Sequence, residues 1–287
     1  MRTIHKIVSA ERVNMGGILL DQALPVQELE MVDPFILIHH WNQHYDGGQP
    51  QKELGVGPHP HRGFAPVTYI FEGGLQHRDS RGNNSVVRAG GTQWINSGMG
   101  LIHSERPAAD IAENGGDLEL IQFWINLPAK YKMDQPRYIP LTETETPELI
   151  TDDGKTKVKI VAGDFKGLNG GIDALSPLLL LRLEFEAGGR AVIPVPENFN
   201  AILYILDGNI RTGGKETSGK DLVWYNNDHT EIELEAMESS RAILLAGEPL
   251  EEPVVASGPF VMNTDTEIME AMRDYRMGKM GFLAEEF

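Results

Sequence analysis

The sequence predicts an all-β chain in which one strand-rich unit occurs twice, and three observations lead there. Thirty-one Gly and 17 Pro among 287 residues call for many turns. Short runs of β-branched, aromatic and aliphatic residues recur between Gly, Asn and Asp clusters. Two of these runs, far apart in the chain, resemble each other residue by residue.

Taken in order, the predicted strands are 64–71, 91–96, 118–125, 157–162, 178–185, 201–206 and 241–246. Turns such as Glu72-Gly73-Gly74, Arg81-Gly82-Asn83-Asn84 and Asp207-Gly208-Asn209 separate them. One helix is predicted near the C-terminus. Thr264 to Glu267 fits a capping box, Ile268, Met272 and Tyr275 follow at helical spacing as a packing stripe, and Gly278 is a natural stop. The repeat pairs FAPVTYIFEG (64–73) with FNAILYILDG (199–208), and Gly90 and Trp94 with Gly219 and Trp224. A chance likeness between two strand–turn segments is the competing reading. A join near 136–156, where Pro, Thr, Glu and Asp accumulate, divides the chain into residues 1–136 and residues 137–287, the latter carrying the helix.

The net charge of −17, without any concentrated basic patch, argues against direct nucleic-acid binding and is read as favouring solubility. The absence of cysteine excludes disulfides, thiolate metal sites, iron–sulfur clusters and a cysteine nucleophile. The first residues lack an apolar signal core, and the longest aliphatic run is far shorter than the roughly 20 residues of a membrane span. A soluble, cytoplasmic protein without membrane partners is expected.

Chemistry concentrates in the N-terminal copy. Residues two apart on a strand share a face, so His59 and His61 can present both imidazoles to one point. His103 and Glu105 have the same spacing, about 40 residues further on. Two such pairs on neighbouring strands supply three imidazoles and a carboxylate. That donor set suits Fe(II), Mn(II), Ni(II), Cu(II) or Zn(II) and can leave positions open for a small molecule. Histidines that never meet are the alternative at this point. The second copy has Pro194-Val195-Pro196 where the first has Pro58-His59-Pro60-His61, so it is expected to be metal-free scaffold.

Motifs along nearly the whole chain resemble the pirin family, bicupins of the cupin superfamily. They are DPF at 33–35, GPHPHRGF at 57–64, TYIFEGG at 68–74, HRDSRGN at 77–83, GMGLIHSERP at 98–107 and DYRMGK at 274–279. The resemblance implies two tandem cupin β-barrels (double-stranded β-helix, jelly-roll-like) with a short C-terminal helix. It implies one divalent transition metal in the N-terminal barrel, Fe(II) foremost with Mn, Ni, Cu or Zn as alternatives, on His59, His61, His103 and Glu105. Two departures stand out. Ala65 replaces a glutamate usual in pirins, and His39-His40-Trp41 replaces a segment that commonly carries an acidic residue.

The resemblance also implies quercetin 2,3-dioxygenase-like activity on a flavonol with O2, releasing carbon monoxide, with Glu105 taking the flavonol proton. The alternative it allows is a redox-sensing regulatory protein acting on protein partners without turnover. Phe64, Trp94 and Met99 are expected in the pocket wall or the core. His39 or His40 is expected at the pocket mouth. His5, His44 and His77 are expected to be solvated or structural, with His77 in a hairpin loop.

Overall fold

The computed structural model describes residues 1–285. Every predicted strand is present within a residue or two of its expected ends, and Leu178–Phe185 has the ends expected. The helix spans Asp265–Arg276, with the Thr264 side chain accepting from the Glu267 N–H. The Glu267 carboxylate accepts from the Asn263 N–H at 3.0 Å, one residue earlier than a capping box requires. Its buried face is Ile268, Ala271 and Asp274, and Tyr275 is half exposed, so the expected stripe through Tyr275 is corrected. An ion pair explains the rotation: Asp274 turns inward to Arg62 at 3.1 Å. Among the described residues no helix is long and apolar enough to cross a membrane.

The chain forms two compact units, and each takes segments from distant parts of the sequence. One contains Met1–Val13, Asp21–Ile38 and Thr144–Leu250; the other contains Asn14–Leu20, His39–Glu143 and the chain from Glu251 onward. This differs from one cut at residue 136. The first strand belongs with the later barrel, and the C-terminal helix belongs with the histidine-bearing one. The reason is pairing: Ile4–Ser9 adds to the edge strand Asp221–Tyr225, while Phe260, Met262, Ile268 and Met280 share a core cluster with Ile102.

Both units follow the same plan. In the later barrel the seven-stranded sheet runs Ile4–Ser9, Asp221–Tyr225, Asn200–Asp207, Ser240–Gly247, Leu178–Phe185, Thr156–Ala162, Glu148–Ile150. Its four-stranded sheet runs Arg190–Pro194, Glu231–Ala236, Asn209–Thr212, Lys215–Ser218. The core lies between them, where Leu181, Leu203 and Leu244 meet Ile193, Ile232 and Leu234. In the histidine-bearing unit the corresponding large-sheet order is Arg137–Leu141, Thr92–Asn96, Phe64–Glu72 and Gly116–Asn126, continuing with the strand that includes His39 to Tyr45. Its four-stranded sheet runs Val56–His61, Leu101–Pro107, Gly74–Asp79, Asn84–Arg88.

The repeat holds down to the register. Val67 pairs with Trp94 in one unit, and Ile202, its counterpart, pairs with Trp224 in the other. Gly73 and Gly208 close the same turn with φ of 76° and 77°. A Cβ at either position would collide with the backbone of the facing segment, so glycine is required twice for one reason.

A buried cation ties the histidine-bearing barrel together. The Lys132 ammonium donates to the Gly63 carbonyl at 2.7 Å, to Asn126 Oδ1 at 2.6 Å and to the Val261 carbonyl at 2.9 Å. Burial pulls its pKa down to about 8, opposed by Glu252 and Glu267. Lys132→Met would strand three buried acceptors, each costing about 1–3 kcal/mol when left unpaired. Urea unfolding of that variant is expected to show a loss of about 3 kcal/mol; a loss within error of zero would mean the ammonium is not the tie.

Candidate metal centre

His59 and His61 lie on Val56–His61, and His103 and Glu105 on the antiparallel neighbour Leu101–Pro107. His103 sits directly opposite His59. The alternation of the first strand puts His59 and His61 on one face, and the register brings His103 to the same face. The three rings lie 4.3 to 4.8 Å apart by centroid, and one nitrogen from each falls within 4.8 Å of the others. All the imidazoles expected at the centre are therefore brought together.

Their protonation follows from their neighbours. His59 Nδ1 lies 2.8 Å from the Gly57 carbonyl and His61 Nδ1 lies 3.4 Å from the Pro259 carbonyl. A carbonyl only accepts, so both Nδ1 atoms carry a proton, and the two Nε2 atoms face each other. Those Nε2 atoms are 3.1 Å apart. Two nitrogens bound at about 2.1 Å and at right angles to one metal would be about 3.0 Å apart. His103 is fully buried, and neither of its ring nitrogens has a hydrogen-bond partner. Burial drives His61 and His103 well below the usual imidazole pKa, and His59 pushes both further down. Two buried imidazoles that burial disfavours from protonation, beside the half-buried His59, are a donor set a divalent metal takes.

The Glu105 carboxylate is not among the donor atoms that lie within 4.8 Å of one another. The pairing with Val56–His61 shifts between His103 and Glu105, which places Glu105 opposite Val56. A bulge of this kind re-aims a side chain. The buried carboxylate accepts instead from Gln93 Nε2 at 2.6 Å and from Gln122 Nε2 at 3.0 and 2.9 Å. Neither glutamine is apparent from motif spacing. Their one signal is a lone amide in an apolar strand, as in Thr92-Gln93-Trp94-Ile95 and Leu120-Ile121-Gln122-Phe123.

Next to Glu105 and Gln122 lies a cavity of ≈ 30 Å³, bounded by Leu20, Trp41, Leu75 and Leu120 and reached by His39. Burial lowers the His39 pKa to about 4, so it faces the cavity as a neutral ring. His40 turns away to Glu119 at 3.1 Å. Phe64 packs its ring on His61 at 4.9 Å, whereas Trp94 is core and bonds Asn96. Met99 is partly buried and does not line the cavity, and Ala65 is fully buried opposite Ile125. His5 and His44 are exposed or nearly so, paired with Asn226 and Asp117. His77 corrects its expectation. It is a fully buried strand residue that bonds Asp79 at 3.0 Å and stacks on Tyr138 at 3.9 Å. A larger open groove of ≈ 610 Å³ runs along residues 163–178 of the other barrel, but its lining carries no imidazole.

Two jelly-roll barrels of one plan, with an imidazole triad buried in one of them, define a bicupin of the cupin superfamily. The Pirin family model matches residues 17–125 and the Pirin C-terminal cupin domain matches residues 180–281. A pirin-like protein of Solanum lycopersicum is 34% identical over 98% of this chain and 94% of its own length. The crystal structure of a quercetin 2,3-dioxygenase from Acinetobacter baumannii superposes with a TM-score of 0.93 at 29% identity, covering 99% of this chain and 100% of that one. A bacterial pirin from Escherichia coli, solved in complex with nickel(II), superposes with a TM-score of 0.66 at 20% identity over 86% of this chain and 98% of its own. The chain belongs to the pirin family.

Elemental analysis of protein purified without chelators tests the triad. His103→Ala is expected to lose stoichiometric metal. Wild-type metal content in a His61→Ala/His103→Ala double variant would remove the site.

Proposed function

We propose that this chain is a pirin-like, metal-dependent dioxygenase that cleaves flavonols such as quercetin with O2 and releases carbon monoxide. The observation that carries this reading is a cluster of three imidazoles, two of them fully buried, in the same barrel as a carboxylate that is held by amides and borders an apolar cavity. Likeness to the quercetin 2,3-dioxygenase from Acinetobacter baumannii over the whole chain supports it. His59, His61 and His103, with Glu105, would hold one divalent metal, Fe(II) foremost with Mn, Ni, Cu or Zn as alternatives. When bound, it supplies Lewis acidity toward a deprotonated flavonol oxygen and a place for O2.

The protein's own groups do the rest. Glu105 takes the flavonol hydroxyl proton, since its carboxylate borders the cavity and is held in place by hydrogen bonds from the Gln93 and Gln122 amides. Leu20, Leu75 and Leu120 keep water from the aromatic rings. His39 offers a neutral donor or acceptor at a second point of the cavity. The ≈ 30 Å³ space holds about two waters, whereas ligand pockets run to about 300 Å³ or more. Flavonol binding therefore requires the cavity to widen.

The small cavity is also what favours the second reading, a regulatory protein whose metal reports redox state to a protein partner. An assay separates the two. Protein loaded with Fe(II), Mn(II), Ni(II) or Cu(II) is expected to consume quercetin and O2 and release carbon monoxide. Glu105→Gln is expected to lower kcat by about 10²–10⁴ with metal retained. If every loaded form leaves quercetin and related flavonols intact, the enzymatic reading falls and the regulatory one stands.

A further inference from the structure

We infer that His77 is a positioning residue for the metal centre: its Nδ1 accepts the ring N–H of His103 that points away from the metal, in a tautomer fixed by Asp79. The inference rests on the metal site proposed above, with His103 as one of its ligands.

An imidazole that gives one nitrogen to a metal keeps an N–H on the other, and that N–H almost always has an acceptor that fixes the ring. For His59 and His61 the acceptors are in place, the carbonyls of Gly57 and Pro259. His103 has none, and it is fully buried, so its acceptor must come from the barrel interior. His77 supplies one. It is fully buried, its Nδ1 has no hydrogen-bond partner, and its ring lies against that of His103, with centroids 5.5 Å apart and planes at 52°. From there a small rotation of the His103 ring brings one nitrogen of each ring within hydrogen-bond reach, roughly 3 Å.

Asp79 decides which nitrogen of His77 is available. Its Oδ1 accepts from the N–H groups of Arg81 at 2.9 Å and Asn83 at 3.0 Å, and its Oδ2 accepts from Asn83 Nδ2 at 2.8 Å. Burial opposes the charge, but hydrogen bonds from His77 and Asn83 hold the Asp79 carboxyl below its usual pKa. An ionised carboxylate only accepts, so His77 Nε2, 3.0 Å away, carries a proton, and in the neutral ring Nδ1 keeps the lone pair. Tyr138 holds the ring in that orientation. It stacks on His77 at 3.9 Å and 5°, with its own hydroxyl 2.7 Å from Ser85 Oγ.

The other barrel has a self-sufficient pair at this position. His77 faces Glu105 as Thr212 faces Leu234, and the Thr212 hydroxyl is paired with Tyr225 OH at 2.9 Å. The open acceptor stands in the barrel that carries the imidazoles, where it has a donor to meet.

Two substitutions and one spectrum test this. His77→Phe keeps a ring on Tyr138 and removes the acceptor, and it is expected to bind Ni(II) about 10–100-fold more weakly in chelator competition. His77→Asn, whose side-chain oxygen can stand near the Nδ1 position, is expected to recover most of that loss. A role in packing alone gives the opposite order, since Asn abandons the stack. Nuclear magnetic resonance of Zn(II)-loaded wild type with isotope-labelled histidine depends on no substitution. There one ring N–H of His103 is expected to couple across a hydrogen bond to His77 Nδ1. Wild-type Ni(II) affinity in a folded His77→Phe overturns the inference while the metal site stands, as does weaker binding in His77→Asn than in His77→Phe. So does a His103 N–H with no coupling to His77, taken instead by the Gln93 carbonyl, another buried acceptor without a partner. A wild type that binds neither Ni(II) nor Zn(II) overturns both.

Discussion

The histidine-bearing barrel is organised around two imidazole nitrogens that face each other. His59 and His61 direct their Nε2 atoms at one another across 3.1 Å, because their Nδ1 atoms donate to the carbonyls of Gly57 and Pro259. The neighbouring His103 brings a third ring whose nitrogens have no hydrogen-bond partner. Buried acceptors without donors are unfavourable, and burial has already moved His61 and His103 away from protonation. A cation shared by the three rings resolves all of this at once. The backbone carbonyls that fix the tautomers therefore matter as much as the imidazoles themselves.

The two barrels are one architecture with opposite interiors. Where His59 faces His103 in one, Ile193 faces Ile232 in the other, and Leu234 stands in for Glu105. An aliphatic side chain fully buried in a core contributes about 1.5–3 kcal/mol, which the histidine-bearing barrel forgoes at each of these positions. Its compensation is external to the site. Arg62 pairs with Asp274, Arg106 with Glu285 and Lys132 with Val261, so the segment from 259 to 285 braces the ligand strands from outside. A second apolar cluster of Phe260, Met262, Ile268 and Met280 closes on Ile102, beside His103.

Local patterns were legible in the sequence where they had a short period. Strand alternation disclosed the sheets, the ten-residue likeness of 64–73 to 199–208 disclosed two barrels, and H-x-H with H-x-E disclosed the ligand strands. What escaped depends on long-range pairing. A register shift after His103 decides where Glu105 points, and spacing along the chain does not encode it. His77 reads as a polar loop residue until Asp79 and Tyr138 are seen to enclose it. The helix face was misplaced by one residue type, since an inward Asp274 makes sense only with Arg62 already in place.

The interleaving of segments has a consequence for biosynthesis. During translation the strands bearing His59, His61 and His103 emerge long before Pro259, Val261 and Asp274, which orient and brace them. The imidazoles are then present in the nascent chain while the carbonyl that sets the His61 tautomer is not yet made. The later barrel can complete its sheets first, because its last segment ends at Leu250. The surroundings of the three imidazoles are thus completed only when the chain beyond Glu251 has arrived, well after the imidazoles themselves.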